Sequence, residues 1–381
     1  MNVPKLRFKE FNDEWKEQKF KEFTYYSGKR NKENLNLVSY AITNNFGFIP
    51  QSLAHNEFGY MKNTDKRAYN IVTPFSFAYN PARINVGSIG YYNGKKNIIV
   101  SSLYEVFKTK EYIDDKFLWY WLKSDIFPIW INRLQEGSVR QYFYYDKLCE
   151  VSLYYPTFIE QTKIAQFLLL LDKKIELQVK KIEALKLFKS YTKSEIFKNG
   201  NHVYKLGAIL NKWNKKNKDG AINYVESISN KAGFIPQSEQ FEDRNVASKN
   251  LRNYYVIKKG VFGYNPSRLN VGSLALKEND FISVVSPLYE CFTTTQNNTY
   301  LFEWFNSNNF KKETFSKFEG GVRNTLNFNN LCDIPINLPD IETQNQYAKY
   351  FNKINFKISL EEQKLSKLLK YKKALLQDMF I

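Results

Sequence analysis

The chain has 381 residues, 43% of them hydrophobic and 17% aromatic, with 56 Lys+Arg against 38 Asp+Glu for a net charge of +18. That length suits two to three ordinary domains with packed cores, and the composition excludes disorder as the main state. No run approaches the ~18–20 uninterrupted apolar residues of a membrane span, and the charged opening MNVPKLRFKEFNDEW lacks an apolar signal core; the expectation is a cytoplasmic protein.

The three cysteines, Cys149, Cys291 and Cys332, form no disulfide framework. Cys149 and Cys332 are expected to fill equivalent buried sites. With only His55 and His202 beside them, no Cys/His cluster exists and no metal site is expected. The positive charge is spread evenly: residues 1–157 carry +6, 158–198 carry +4, 199–338 carry +5 and 339–381 carry +3. A folded chain basic along its whole length is suited to a polyanion such as nucleic acid.

In chain order, the sequence reads twice. GFIPQS at 47–52 returns at 233–238, YNPARINVGS at 79–88 returns as YNPSRLNVGS at 264–273, and Leu103-Tyr104-Glu105 returns as Leu288-Tyr289-Glu290. Glu136-Gly137 with Val139-Arg140 returns as Glu319-Gly320 with Val322-Arg323. Offsets of 183–186 residues mark a tandem of whole domains, not a solenoid. Residues 70–79 and 253–264 read as strands interrupted by turns, and Ile98–Val100 and Ile282–Val285 as a further matched strand. Residues 116–132 read as an aromatic helix that Pro128 ends or kinks, matched loosely by 300–315.

Each copy closes on a long helix. Ile164, Leu168, Leu171, Ile175, Ile182 and Leu185 keep alternating steps of four and three, with Gln178 in the seam. Tyr347, Phe351, Ile354, Ile358, Leu365 and Leu368 repeat them, with Glu361 at the polar place. Such spacing signals coiled coil, and Pro156 and Pro339 break the chain just before each helix. The resulting layout is α+β: two tandem mixed α/β domains, 1–157 and 199–338, each followed by a spacer helix, 158–198 and 339–381, the two helices pairing antiparallel with pseudo-two-fold symmetry.

Signatures of catalysis are missing: no GxxxxGK[ST], GxGxxG, HExxH, GxSxG or DFG/HRD pair occurs. The Asn-Pro of the repeated turn lacks the second proline and aromatic with which amino-methyltransferases stack a flipped base. What remains is a set of binding candidates. Arg83/Arg268 and Asn85/Asn270 can grip phosphates or make bidentate contacts to base edges. Arg140 and Arg323 ride on glycine turns, and Gln51 and Gln237 follow a Phe-Ile-Pro turn. Each arginine could equally be a structural partner in its turn.

The order of these segments resembles the specificity subunit of Type I restriction–modification systems over essentially the whole chain. The residues that carry the likeness are PKLRFKEFNDEWKEQKFKEF, both GFIPQS and YNPxRxNVGS segments, the EGSVR and EGGVR turns, and IEQTKIAQFLLLLDKKI after a proline. The resemblance implies a non-catalytic, sequence-specific DNA-binding subunit, each globular domain reading one half of a bipartite double-stranded target. The helices would set the spacing and dock two modification subunits, with restriction/translocase subunits joining through the complex. S-adenosylmethionine and ATP are expected on those partners, none on this chain. The second spacer departs from the first, TQNQYAKYF standing for EQTKIAQFL with a weaker apolar seam. The alternative reading is a self-contained DNA methyltransferase or nuclease with duplicated binding domains.

Overall fold

The computed structural model describes residues 2–44, 47–54, 65–134, 142–198, 200, 202–230, 232–240, 250–315 and 325–381. The chain divides into two compact units, Met1–Gln178 with Lys364–Ile381, and Val179–Gln363. The two long helices, Phe158–Ile196 and Ile341–Asp378, each contribute to both units.

The first unit is built on a four-stranded antiparallel sheet, in the order Thr24–Tyr26, Glu105–Thr109, Ser76–Tyr79, Ile89–Tyr92. Beside it lie a three-stranded sheet (Lys29–Arg30, Asn70–Val72, Ile98–Val100) and the hairpin Tyr40–Thr43/Gly47–Pro50. Lys16–Lys19 pairs with Ser152–Tyr155, which closes the globular part just before the first long helix. The strands expected in 70–79 are present, broken at Thr73–Phe75. Ser76–Tyr79 is buried throughout, which explains its unbroken small-to-aromatic run rather than an alternation. Phe77 stacks on Phe107 at 5.0 Å, and the fully buried Phe20, Phe23, Phe117 and Trp121 complete the core.

Unit two repeats this plan. Its four-stranded sheet runs Leu210–Lys212, Glu290–Thr294, Phe262–Tyr264, Leu274–Leu276, and Phe262 stacks on Phe292 at the same 5.0 Å. The hairpin is Glu226–Ser229/Gly233–Pro236, and His202–Lys205 pairs with Pro335–Leu338.

The aromatic segment differs from expectation. Its helix runs Asp115–Leu122 and stops near Ser124, whose hydroxyl donates to the Trp121 carbonyl at 2.7 Å. A second helix, Ile126–Leu134, then begins. Pro128 sits in its first turn, where the missing N–H has no partner to lose, so the proline neither ends nor kinks a helix. The counterpart helix Asn298–Phe305 also stops just before a serine, Ser307. Cys149 and Cys332 are half-buried rather than buried, because the short helices that carry them lie at the edge of each core; all three cysteines are free thiols.

At 39 and 38 residues, the long helices rise roughly 60 Å each. Ile164, Leu168, Leu171, Ile182, Phe351, Ile354 and Ile358 are buried, and Ile175, Leu185, Tyr347, Leu365 and Leu368 half-buried. Glu361, at the polar place of the seam, is 4% exposed and accepts from Lys181 at 2.9 Å. In the second unit Lys181 meets Glu361 while Thr192 meets Tyr350, so the two helices run antiparallel there. In the first unit Lys372 pairs with Asp172, and Ile164, Leu168, Leu171 and Leu375 join the domain core. The helices therefore pack on each other, and each contributes side chains to the cores of both units.

Two buried glutamines pin the start of each long helix. Gln161 donates to the Pro156 carbonyl at 3.0 Å and accepts from the Asp114 N–H at 2.8 Å. Gln344 donates to the Pro339 carbonyl at 2.9 Å and accepts from the Asn297 N–H at 3.2 Å. Asp114 and Asn297 are the N-caps of the aromatic helices, so one side chain ties cap, proline break and long helix together. Arg7 adds a lock in the first copy, a two-pronged pair to the buried Glu160 at 2.7 and 2.8 Å.

Candidate nucleic-acid interface

The Asn-Pro turns are built identically in both units. Asn80 Oδ1 accepts from the Ala82 N–H at 3.0 Å, and Asn265 Oδ1 from the Ser267 N–H at 3.0 Å. The chain then makes a single 3-10 turn, Ile84–Val86 or Leu269–Val271. Gly87 (φ 88°) and Gly272 (φ 91°) end it in the left-handed region, which is why glycine stands there. The Arg83 carbonyl accepts from Val86 at 3.2 Å and Ser88 at 3.1 Å, and the Arg268 carbonyl from Val271 and Ser273 at the same distances. Ile84 and Leu269 anchor the turns from beneath at 2% and 6% exposure.

The turn thus uses the arginine backbones and leaves the side chains outside. Arg83, Asn85 and Arg268 are exposed, and neither guanidinium has an ion pair or hydrogen bond among the described residues. A structural salt-bridge role for Arg83 and Arg268 is therefore not what the described contacts provide. Asn270 holds the backbone position equivalent to Asn85. Arg140 and Arg323 lie outside the described residues. The chain just beyond them docks on the same turns: Phe143 donates its N–H to the Pro81 carbonyl, and Leu326 to the Pro266 carbonyl, each at 3.1 Å.

The Phe-Ile-Pro segment is not a turn. Gly47–Pro50 and Gly233–Pro236 are the second strands of their hairpins, because Ile and Phe pair across to Ala41/Ile42 and Ser227/Ile228. Gln51 and Gln237 open the one-turn helices Gln51–Ala54 and Gln237–Gln240 and are half-buried, while Ser52 and Ser238 are exposed. The glutamine N–H groups donate to the Ser39 and Val225 carbonyls at 2.9 and 3.0 Å.

Loop side chains meet the first strand of each hairpin, two in the first unit and one in the second. Ser88 Oγ donates to the Ile42 carbonyl at 3.1 Å, and the Tyr104 hydroxyl also bonds the Ile42 backbone. In the second unit the Ile228 N–H donates to the Tyr289 hydroxyl at 3.5 Å. Burial raises the Tyr104 pKa, partly offset by the Ile42 backbone and by the nearby positive Arg83. Arg30 adds a second exposed cation to the first unit and clamps the Ala68 and Ser102 carbonyls at 2.7 and 3.0 Å. Sequence reasoning missed Arg30 and the tyrosine hub. The matched Leu-Tyr-Glu triplets were the signal available for the latter. Among the described residues no group of three or more His, Cys, Asp or Glu could hold a metal.

Residues 12–187 match the family model described as "Type I restriction modification DNA specificity domain". Those residues, just under half of the chain, are similar to the DNA specificity domain of Type I restriction–modification systems. That domain is a DNA-recognition component and not a catalytic one. The second half repeats its strand order, its Asn-Pro turn and its closing helix, which makes it a second copy of the same fold. The chain is similar to the S subunit of a Type I restriction–modification system from M. genitalium, at 16% identity and a TM-score of 0.60, covering 100% of this chain and 99% of that one. It is also similar to a chain from a structure on complex assembly and conformational transition of the type I R-M system, at 13% identity and a TM-score of 0.59, covering 96% and 97%. None of the curated proteins compared matches this chain. No helix among the described residues is long and apolar enough to cross a membrane.

Proposed function

We propose that this specificity chain reads a bipartite double-stranded DNA target, one half-site per unit. The observation that carries the reading is the twice-built turn that holds Arg83 and Arg268 outward by their backbones alone, leaving both guanidinium groups for phosphate or base. The helices that run through both units would fix the separation of the half-sites and offer their outer faces to two modification subunits. Methyl transfer from S-adenosylmethionine, and ATP-driven translocation with cleavage, would belong to those partners and to restriction subunits joined through them.

The experiment is to replace residues 1–157 by the first domain of another family member and map methylated adenines in cells. One half of the target should change and the other stay. A change in both halves, or in neither, removes the reading. Arg83→Ala and Arg268→Ala should each weaken binding and reduce the slope of log affinity against log salt by about 1, because each phosphate contact releases condensed counterion. A slope unchanged in the double variant would exclude phosphate contact by these side chains.

A further inference from the structure

The repeated Leu-Tyr-Glu triplet has one member that the fold does not use. Tyr104 and Tyr289 are the hubs described above, and Glu105 and Glu290 begin the central strands Glu105–Thr109 and Glu290–Thr294. Leu103 and Leu288 stand 72% and 79% exposed. Single exposed leucines are ordinary on protein surfaces. Here the same leucine is exposed at the same turn in both copies.

The turn holds the leucine rigidly. Tyr104 N–H donates to the Ser101 carbonyl at 3.1 Å, and Tyr289 N–H to the Ser286 carbonyl at 3.1 Å. The Leu103 and Leu288 N–H groups approach the Ser101 and Ser286 hydroxyls at 3.4 and 3.3 Å. In the first unit the buried Asn70 side chain adds a bond to the Tyr104 carbonyl at 2.7 Å, and Arg30 holds the Ser102 carbonyl at 3.0 Å. In the first unit the apolar tip thus stands beside an exposed cation, Arg30, which bonds the same turn. The Asn-Pro turn adds a second exposed apolar residue in each copy, Val86 at 52% and Val271 at 54%.

Resting on the DNA reading above, we propose that Leu103 and Leu288 are apolar wedges that press against the sugars and base stack of the duplex, one in each half-site. Arg30 at the first turn, and the outward Arg83 and Arg268 of the Asn-Pro turns, bring the phosphate backbone to each domain, and a rigid leucine can then pack where a polar side chain would hold water. A residue shared by two domains that read different sequences cannot carry the difference between them. Its contribution is sequence-tolerant: it supports distortion of the duplex, as inserted leucines do in proteins that bend DNA.

The test uses the full chain assembled with its modification subunits. The probes are an end-labelled duplex carrying the methylation-mapped target and a duplex of scrambled sequence. Leu103→Ala and Leu288→Ala should each lower affinity for the mapped duplex by roughly 10–100-fold. Each should reduce the bend read by end-to-end energy transfer, and Leu103→Met should keep both properties. Methylation mapping should return the same target bases. Wild-type affinity and bend in the Leu103→Ala/Leu288→Ala variant overturn the wedge while leaving the DNA reading intact. So does an altered target sequence, or a loss traced to assembly with the modification subunits. A wild-type complex that does not distinguish the two duplexes overturns the DNA reading and the wedge together.

Discussion

The hairpin ends of the two units are filled by opposite chemistries on one backbone plan. In the first, Tyr40, Tyr92 and Ile98 meet, with Tyr40–Tyr92 ring centroids 6.1 Å apart and Phe48 5.4 Å from Tyr92. In the second, the equivalent positions are Glu226, Lys277 and Ser283, all buried, with Lys277 Nζ 2.5 Å from Glu226 and the Ser283 hydroxyl on the same carboxylate. Lys277 also lies over Phe234, the counterpart of Phe48. The equivalence is anchored in the backbone: Phe75 donates to the Tyr92 carbonyl and Gly260 to the Lys277 carbonyl, both at 2.8 Å. A fold that accepts either an aromatic cluster or a satisfied ion pair at one place has its topology fixed elsewhere, by the stacked Phe77–Phe107 and Phe262–Phe292 pairs and the pinned helices.

The largest expected effect comes from breaking that ion pair. Lys277→Met leaves Glu226 buried without its cation and should destabilise the second unit by about 3–5 kcal/mol. Converting the site to the first unit's set, Glu226→Tyr with Lys277→Tyr and Ser283→Ile, removes both charges together and should cost far less or stabilise. Hydrogen exchange of amides in 226–285 reads the second unit alone. A triple variant as damaged as the single one would show that the two pockets are not interchangeable.

A second contrast lies where each aromatic helix meets the long helices. In the first unit the Tyr120 hydroxyl donates to Asp172, which also pairs with Lys372. In the second, Glu303 replaces the tyrosine, Asn355 replaces the aspartate, and Lys189 and Lys193 close on Glu303 at 2.6 and 2.9 Å. The acid has moved from the long helix to the domain. Burial raises the Glu303 pKa, but Lys193 and Lys189 outweigh it and hold the carboxyl below its ordinary value. At Lys193 the balance is reversed: burial outweighs the shared carboxylate, and its pKa is lowered. A carboxyl depressed in the folded state contributes stability that is present above its unfolded value and lost as pH falls through the folded value. The second unit should therefore lose amide protection at this junction on acidification below pH ~4. Glu303→Gln should remove that pH dependence and lower protection at neutral pH by roughly 1–3 kcal/mol. An acid profile unchanged by Glu303→Gln would assign the loss to other carboxylates.

Much of the architecture was readable because it was written twice. Matched segments fixed the repeat, and the four-three spacing fixed the helix seam down to its polar place at Glu361. Periodicity reports which face of an element is apolar, and it says nothing of which loops meet. Gln161 and Gln344, Arg7 with Glu160, and the Tyr104 hub therefore stayed hidden, although the glutamines and the tyrosines are repeat mates. Pro128 misled for a local reason: proline breaks a helix only where its N–H would have been used. The outward arginines were legible as residues, but only the turn's hydrogen bonds show that their side chains are free of structural duty.

The smallest expected effect concerns the tyrosine that opens each Tyr-Asn-Pro motif. Tyr79 and Tyr264 are fully buried, and neither hydroxyl has a hydrogen-bond partner among the described residues. Burial, the first of several contributions, pushes both phenols well above their ordinary value, so both remain neutral. What the motif needs at this position is the ring, which packs on Phe107 at 6.3 Å in one unit and on Phe292 at 6.3 Å in the other. Tyr79→Phe and Tyr264→Phe remove a desolvated, unbonded group and should change stability by less than about 1 kcal/mol, in the stabilising direction if either. Tyr79→Ala should lose about 3–5 kcal/mol through the cavity left in the core. If Tyr→Phe costs as much as a lost buried hydrogen bond in one unit and nothing in the other, the two copies differ at the one motif residue where their surroundings look most alike.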